Sequence, residues 1–364
     1  MSYRPTKAVH PGKAVARALD DMGKTQKWLA AHAGISEKQV SEIINGKAPI
    51  TPETALRFKN TLGGSARFWI NLDSNYRETV ARLAAAEKAR EEIPLLRLYP
   101  VAALVKLGFV EAVRNKTGQV LALQQFFGVS SLTLVQKTEA VAYRRWSGGG
   151  KTNPDALAAW LRCGELEAGK TRRSPFNAND LRAKLPELRA LSSTSSPDIA
   201  KHIANVLAEC GVAFAAIPHF KGTYANGACR WIGNTPVVQL SLRGKHVDTF
   251  FFTLFHELGH ILKHLGAKRK FILDDLEILD CETKEEREAN RFACDTLIPA
   301  EEWRDFFSEG DYSPVSVQRF ARKIGINPAI VAGRVRYETN NYRILSQNVG
   351  YDLVRKAFFQ EYYR

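Results

Sequence analysis

Cysteine is scarce in this chain. There are five in 364 residues, Cys163, Cys210, Cys229, Cys281 and Cys294. No two stand as C-x-x-C, which excludes zinc-ribbon and thioredoxin-type motifs, and the odd count argues against a disulfide framework. Reduced thiols are therefore expected. No apolar run reaches the roughly 20 residues a membrane span needs. Residues 1–7 lack the apolar core of a secretory signal, so a cytoplasmic protein away from any membrane is expected. No internal repeat is evident, which excludes solenoids and propellers. Acidic residues are also short, 38 Asp and Glu against 52 Lys and Arg, a net charge of +14.

The surplus of positive charge is unevenly spread. Residues 1–77 hold 12 basic and 6 acidic residues, and residues 78–195 hold 18 and 11. Residues 196–364 hold 22 and 21. A basic first half and a neutral second half fit a nucleic-acid partner for the first half. With 45% hydrophobic residues, the chain can bury substantial cores in two or three domains.

The neutral half carries His256-Glu257-Leu258-Gly259-His260, an H-E-x-x-H pentapeptide. It lies in an apolar run in which Phe251, Leu254, Phe255, Leu258, Ile261, Leu262 and Leu265 recur at helical spacing, with Asp248 and Thr249 as capping candidates. Histidines four apart leave one helix face a turn apart and can reach one ion. Glu257 between them can take a proton from an activated water. The plain alternative is a buried helix whose histidines are only hydrogen-bonded.

Zinc needs a third protein ligand. Residues 284–293 read as a second helix, with Ala289, Phe292, Ala293, Thr296 and Leu297 on one side and Pro299 ending it. Glu286 and Asn290 share a face, so Glu286 can bind the metal while Asn290 supports a ligand. Glu288 is the alternative register, and a solvated string of glutamates is the plain reading. His264 is a further turn along, about 6 Å from His260, and is expected to be supporting or structural.

The residues 252–264 around this pentapeptide, Glu286-Arg287-Glu288-Ala289-Asn290-Arg291-Phe292-Ala293, and Leu297-Ile298-Pro299 resemble the ImmA/IrrE metallopeptidases. Arg230-Trp231-Ile232-Gly233-Asn234 and residues 237–242 fit the same pattern. The resemblance covers residues 200–300. It implies a zincin-like fold, one Zn2+ per chain on His256, His260 and Glu286, and Glu257 as general base. Narrow protein or peptide substrates are also implied. Tyr224, His219 and His246 are candidates for stabilising an oxyanion, and the sequence does not choose among them. Cys229 and Cys281 lie near these elements in sequence.

The N-terminus reads differently. Residues 25–31 form a short helix, Gly34 makes a turn, and Ser36-Glu37-Lys38-Gln39 is an S-x-x-Q capping box opening the next helix. Val40, Ile43 and Ile44 give that helix an apolar face, Asn45-Gly46 ends it, and Thr51-Pro52-Glu53 starts another. Two short helices around a glycine turn make a helix-turn-helix whose second helix enters the major groove. Glu37, Lys38, Gln39, Ser41 and Glu42 are its exposed positions, with Ser36 at its start. Lys38 can bond guanine, and a carboxylate can accept from cytosine. Gln26, Asn45 and Lys47 are placed for phosphates. The acidic positions repel phosphate, and a small helical interaction module is the plain alternative.

His10-Pro11-Gly12, Thr25-Gln26, Leu29-Ala30, Gly46-Lys47, residues 50–55 and Phe68-Trp69-Ile70-Asn71-Leu72 resemble the Xre-type helix-turn-helix of HigA antitoxins. The resemblance covers residues 8–78. It implies operator DNA as a partner, a homodimer, and repression of a toxin–antitoxin operon, with a cognate toxin as a further partner.

Between the two modules, residues 79–95 read as a charged alanine-rich helix, and 100–107, 118–127, 138–146, 154–166 and 179–191 as further helices. Glycines 148–150 and residues 170–174 read as loops. Residues 212–218 and 237–242 read as strands. Residues 314–336 show a second basic helix-turn-helix-like pattern, read as a packed helix pair. The fold class is mainly α with a small β-sheet, α+β. The expected domains are an N-terminal all-α helix-turn-helix domain (1–78), a helical middle segment (79–195), a zincin-like metallopeptidase domain with the H-E-x-x-H helix (196–300) and a C-terminal helical extension (301–364). The expected function is a DNA-binding transcriptional regulator or antitoxin of a toxin–antitoxin or stress module, carrying a zinc metallopeptidase domain. The alternative is a non-catalytic zincin scaffold that senses a ligand or holds a toxin.

Overall fold

The computed structural model describes residues 5–135, 153–194, 198–241, 243, 246–265, 283–348 and 350, and the backbone alone at 271–275. The helix expected at 138–146, the glycine loop at 148–150 and Cys281 lie outside the described residues. The molecule is mainly helical with a small sheet. It divides into two compact units, one of Met1–Ile93 with Asn115–Leu121 and one of Pro94–Arg114 with Ala122–Arg364.

The first unit is helical: α1 Gly12–Asp21, α2 Gln26–Ala33, α3 Glu37–Ile44, α4 Pro52–Thr61 and α5 Ala66–Glu91. Each of α2 to α5 starts at a hydroxyl cap, with Thr25, Ser36, Thr51 and Ser65 each accepting a hydrogen bond from a backbone N–H of the first turn. Such caps satisfy donors that otherwise have no partner. Val15, Leu19, Leu29, Val40, Ile43, Phe58 and Trp69 form the core. The alanine-rich stretch after residue 78 continues α5 without a break.

Short helices follow at α6 (Val101–Lys106) and α7 (Lys116–Phe127), then α8 (Pro154–Lys170), α9 (Ala178–Ala190) and α10 (Ile199–Glu209). The sheet is built from β1 (Ala213–Ala216), β2 (Ala225–Ile232), β3 (Thr235–Leu240) and β4 (Phe271–Asp275) in the order β1-β3-β2-β4. β1 pairs parallel with β3, and β2 pairs antiparallel with both β3 and β4. Next come α11 (Val247–Lys263), α12 (Lys284–Leu297), α13 (Ala300–Glu309), α14 (Pro314–Ile324) and α15 (Pro328–Glu338).

Strand alternation divides the sheet's side chains between two faces. Cys229, Val238 and Leu240 join the large core formed with Phe251, Leu254, Phe255 and Leu258 of α11. Ala213 and Val237 face the other way and pack with Ala168 of α8. That helix is buried almost along its length. Trp160 Nε1 donates to Ile217 O at 3.0 Å, and Gln239 Nε2 donates to Trp160 O at 2.7 Å. A helix of the middle segment is thus one layer of a helix–sheet–helix stack.

The tail helices share the large core. Val317, Phe320 and Ala321 of α14 and Ile330, Val331 and Val335 of α15 belong to it, and Phe306 stacks on Phe320 with centroids 4.3 Å apart. Arg189 ties α9 to this end of the unit, donating to Leu297 O and Ile324 O at 2.8 Å each. Residues on either side of 300 therefore share one core, as do residues on either side of 195. The basic pattern at 314–336 is a helix pair packed into it. Burial raises the thiol pKa of Cys163, Cys210 and Cys294.

Candidate metal centre and helix-turn-helix

α11 begins at Val247 with His246 at its N-cap and no side-chain capping bond, so Asp248 and Thr249 do not cap it. Asp248 lies one residue inside, and burial raises its carboxyl pKa. Along the helix His256, Glu257 and His260 are almost fully shielded from solvent, at 2%, 0% and 0% exposure. Burying three titratable groups on one helix costs free energy unless they have partners.

Those partners come largely from α12. Thr283 caps that helix, its hydroxyl accepting from Glu286 N at 3.2 Å, which sets Glu286 in the first turn. Glu286 Oε2 stands 3.2 Å from His256 Nε2, and Oε1 stands 3.5 Å from His260 Nε2. The two Nε2 atoms are 2.9 Å apart. Glu288 faces elsewhere, with Oε2 3.0 Å from His264 Nε2. The helices come this close because α11 offers no side chain at the crossing: a Cβ on Gly259 would stand 2.9 Å from the Phe292 ring and 3.4 Å from Ala289 Cα.

The remaining ring nitrogens are also engaged. Asn290 Oδ1 accepts from His256 Nδ1 at 2.8 Å, which leaves His256 Nε2 as a lone pair. His260 Nδ1 meets His264 Nδ1 at 2.9 Å. Burial lowers the pKa of His260, favouring its neutral form. Burial alone would raise the Glu286 carboxyl, but when His256 and His260 are protonated their hydrogen bonds and charge outweigh it and hold it well below the usual carboxylate range. His256, His260 and Glu286 place one ligand atom each within 4.8 Å of one another.

Glu257 projects toward β2. A Cβ on Gly227 would collide with its Oε1 and stand 2.8 Å from Thr253 Cγ2, so glycine is required for the strand to lie this close. Gly227 and Gly259 escape a sequence reading because each meaning depends on an element far away in the chain. His246 is ten residues before His256 on the same helix axis, about 15 Å away, too far to reach a group held at His256.

In the first unit, Thr25 to Lys47 forms two helices joined at Gly34, which adopts φ 64 and ends α2. A left-handed conformation of this kind suits glycine. Arg57 of α4 secures the turn, donating through Nη1 to Ala33 O and Gly34 O at 2.8 and 2.6 Å and through Nη2 to Glu53 at 2.7 Å. Nothing in the sequence pattern marks Arg57 for this task. Gln26, Ser36, Glu37, Lys38, Asn45 and Lys47 are exposed, and Gln39 and Glu42 half-buried. Ser36 Oγ accepts from Gln39 N at 3.1 Å, the first half of the expected capping box. Asn45 Nδ2 donates to Ser41 O at 2.8 Å, closing the end of α3. Lys38 lies 3.9 Å from Glu42.

A helix-turn-helix family matches residues 15–69, and the IrrE N-terminal-like domain of peptidase family M78 matches residues 212–336. The chain belongs to the helix-turn-helix regulators and carries an IrrE N-terminal-like domain. Among curated relatives, the regulator is 31% identical over 88 residues to the uncharacterized HTH-type transcriptional regulator YddM of Escherichia coli (strain K12), covering 24% of this chain and 88% of the relative. It is 31% identical over 90 residues to virulence-associated protein I of Dichelobacter nodosus, covering 24% and 79%. Among solved structures, an addiction module antidote protein of the HigA family from Coxiella burnetii is 32% identical, covering 24% of this chain and 96% of that one, with a TM-score of 0.23. A putative antidote protein of a plasmid maintenance system from Nostoc punctiforme is 30% identical, covering 24% and 94%, with a TM-score of 0.23. No helix among the described residues is long and apolar enough to cross a membrane.

Proposed function

We propose that this regulator is a DNA-binding repressor of antitoxin type whose second unit is a zinc-dependent peptidase. The observation that carries the metal is the convergence of His256 Nε2, His260 Nε2 and the Glu286 carboxylate. Tetrahedral zinc with bonds of 2.0–2.1 Å sets its ligand atoms about 3.3 Å apart. The separations here are 2.9, 3.2 and 3.5 Å. Two imidazoles and one carboxylate are also the donor set of hydrolytic zinc sites, with a fourth position left for water. When bound, zinc would acidify that water and polarise a scissile carbonyl.

The chain's own residues would do the rest. Asn290 holds the His256 ring in the tautomer that turns Nε2 inward. Glu257, buried against Gly227 and next to His256, takes a proton on its carboxylate and returns it to the leaving amine. Burial of the helix keeps bulk water from the carboxylate. Of the sequence candidates for an oxyanion contact, Tyr224 is three residues ahead of Gly227, on the chain leading into the strand that borders Glu257.

α3 serves as the recognition helix, with Glu37, Lys38, Gln39 and Glu42 toward base edges and Gln26, Asn45 and Lys47 toward phosphates. The HigA-like residue pattern of the first unit supports an operator and a homodimer, and by the same likeness a toxin as partner. A protein or peptide is the substrate class of the second unit.

Metal analysis of the purified chain beside His260→Ala tests the centre. One zinc per chain in the wild type and none in the variant is expected. Absence of zinc from both would remove the peptidase reading and leave a scaffold. Glu257→Gln should keep its zinc and lose the regulatory response in cells. A variant that keeps the full response would mean the centre serves as a sensor or a toxin-binding scaffold.

A further inference from the structure

His264 and Glu288 lie outside the three-ligand set, yet they are tied to it in series. Glu288 Oε2 is 3.0 Å from His264 Nε2, and His264 Nδ1 is 2.9 Å from His260 Nδ1. Both histidines are shielded, their side chains 6% and 0% exposed. An ionised carboxylate only accepts hydrogen bonds. The proton between Glu288 and His264 therefore sits on His264 Nε2. A neutral imidazole with its proton on Nε2 has a lone pair on Nδ1. His260 can meet a cation through Nε2 only with its own proton on Nδ1, and His264 Nδ1, 2.9 Å away, is the atom placed to accept it. That leaves His260 Nε2 without a proton, as a lone pair directed at His256 and Glu286.

The alternative tautomer has a definite consequence. With its proton on Nε2, His260 would donate to the lone pair of His256 Nε2, 2.9 Å away. That hydrogen bond would occupy both donor atoms and close the centre to a cation. Asn290 settles the tautomer of His256 in one step. For His260 the same choice is made two residues away.

We propose that Glu288 and His264 are positioning residues that fix the tautomer of His260 and keep the centre open to zinc. The proposal rests on the metal-centre reading above. Ligand-orienting partners of this kind typically change metal affinity by about 10–100-fold.

Zinc affinity by competition with a chromogenic chelator tests the relay on the full chain. Glu288→Ala and His264→Ala should each weaken zinc binding by about 10–100-fold. Glu288→Gln, which keeps an oxygen acceptor, should restore most of it. Imidazole 15N shifts of the metal-free wild type give a readout that needs no variant and no activity: His260 should be protonated on Nδ1 and His264 on Nε2. Wild-type affinity in Glu288→Ala, or a proton on His260 Nε2, would overturn the relay while leaving the centre in place. A wild-type chain that binds no zinc would overturn the centre and the relay together.

Discussion

Gly227 on β2 lies directly against the carboxylate of Glu257 on α11, so that a Cβ at 227 would collide with Glu257 Oε1. The strand contributes no side chain of its own to that contact. Glu257 is fully buried and Thr253 flanks the same contact, so a Cβ there forces the strand or the Glu257 side chain to shift. Gly227→Ala should lower stability by about 1–3 kcal/mol, the usual cost of overpacking. It should leave zinc content at one per chain, because His256, His260 and Glu286 are not touched. Thermal unfolding and metal analysis of the one variant check both parts. An unchanged melting temperature would show that the strand can move away.

Asn290 offers a second handle on the same centre. Asn290→Ala removes the acceptor from His256 Nδ1 and should weaken zinc binding by about 10–100-fold. Asn290→Asp keeps an acceptor and gives it charge, so its zinc affinity should match or exceed that of wild type. Chelator competition on the two variants separates an orienting role from simple loss of packing, which would weaken both alike.

The residues proposed to hold a metal were legible because helical spacing alone sets His256 and His260 on one face and Glu286 and Asn290 on another. The choice between Glu286 and Glu288 was not legible. It depends on where α12 starts, which Thr283 fixes, and on the presence of His264 to receive Glu288. β2 was missed because Ala-Asn-Gly-Ala opens it, a run with a turn signal and no apolar alternation. The role of α8 was hidden for another reason. Its bonds run from Trp160 to Ile217 and from Gln239 to Trp160, and no local pattern reports contacts that distant. Hydroxyl caps, by contrast, are local, and Thr25, Ser36 and Thr51 mark their helices where the sequence places them.

Asp248 predicts a pH dependence. Burial raises its carboxyl pKa above the ordinary value of 3.8, against smaller opposing effects from Thr249, His246 and Arg336. The folded chain therefore holds this proton to higher pH than the unfolded chain does. Its contribution is fully present below about pH 3.8 and is lost as the pH rises through the folded pKa. Asp248→Asn removes that titration. Relative to the variant, the wild type should lose stability as the pH is raised from 4 to 8, measured by urea unfolding at each pH. A difference that stays constant across the range would sink the assignment.

Arg57 is expected to hold the helix-turn-helix together. Its guanidinium bonds two carbonyls at the end of α2 and the carboxylate of Glu53. Hydrogen bonds from a charged donor contribute about 1.5–3 kcal/mol. Arg57→Ala should therefore destabilise the first unit by an amount of that order and weaken DNA binding in parallel. Arg57→Lys, which cannot bridge all three acceptors, should recover only part. Binding that falls without any change in unfolding would instead place Arg57 on the DNA.

Lys38 and Lys47 separate base reading from backbone attraction. Lys38 is exposed on α3 and only loosely paired with Glu42 at 3.9 Å, and Lys47 is exposed just beyond the helix. If Lys47 meets a phosphate, Lys47→Ala should weaken binding to all sequences alike and reduce the salt slope by about 1. If Lys38 meets a base edge, Lys38→Ala should cost about 1–3 kcal/mol on the operator and relax the preference at one position. Titrations of the chain's own promoter fragment and of a scrambled one, each at several salt concentrations, distinguish the two. Equal loss on both fragments from Lys38→Ala would move that lysine from the bases to the backbone. Glu37, Gln39 and Glu42 would then be left to carry the specificity of α3.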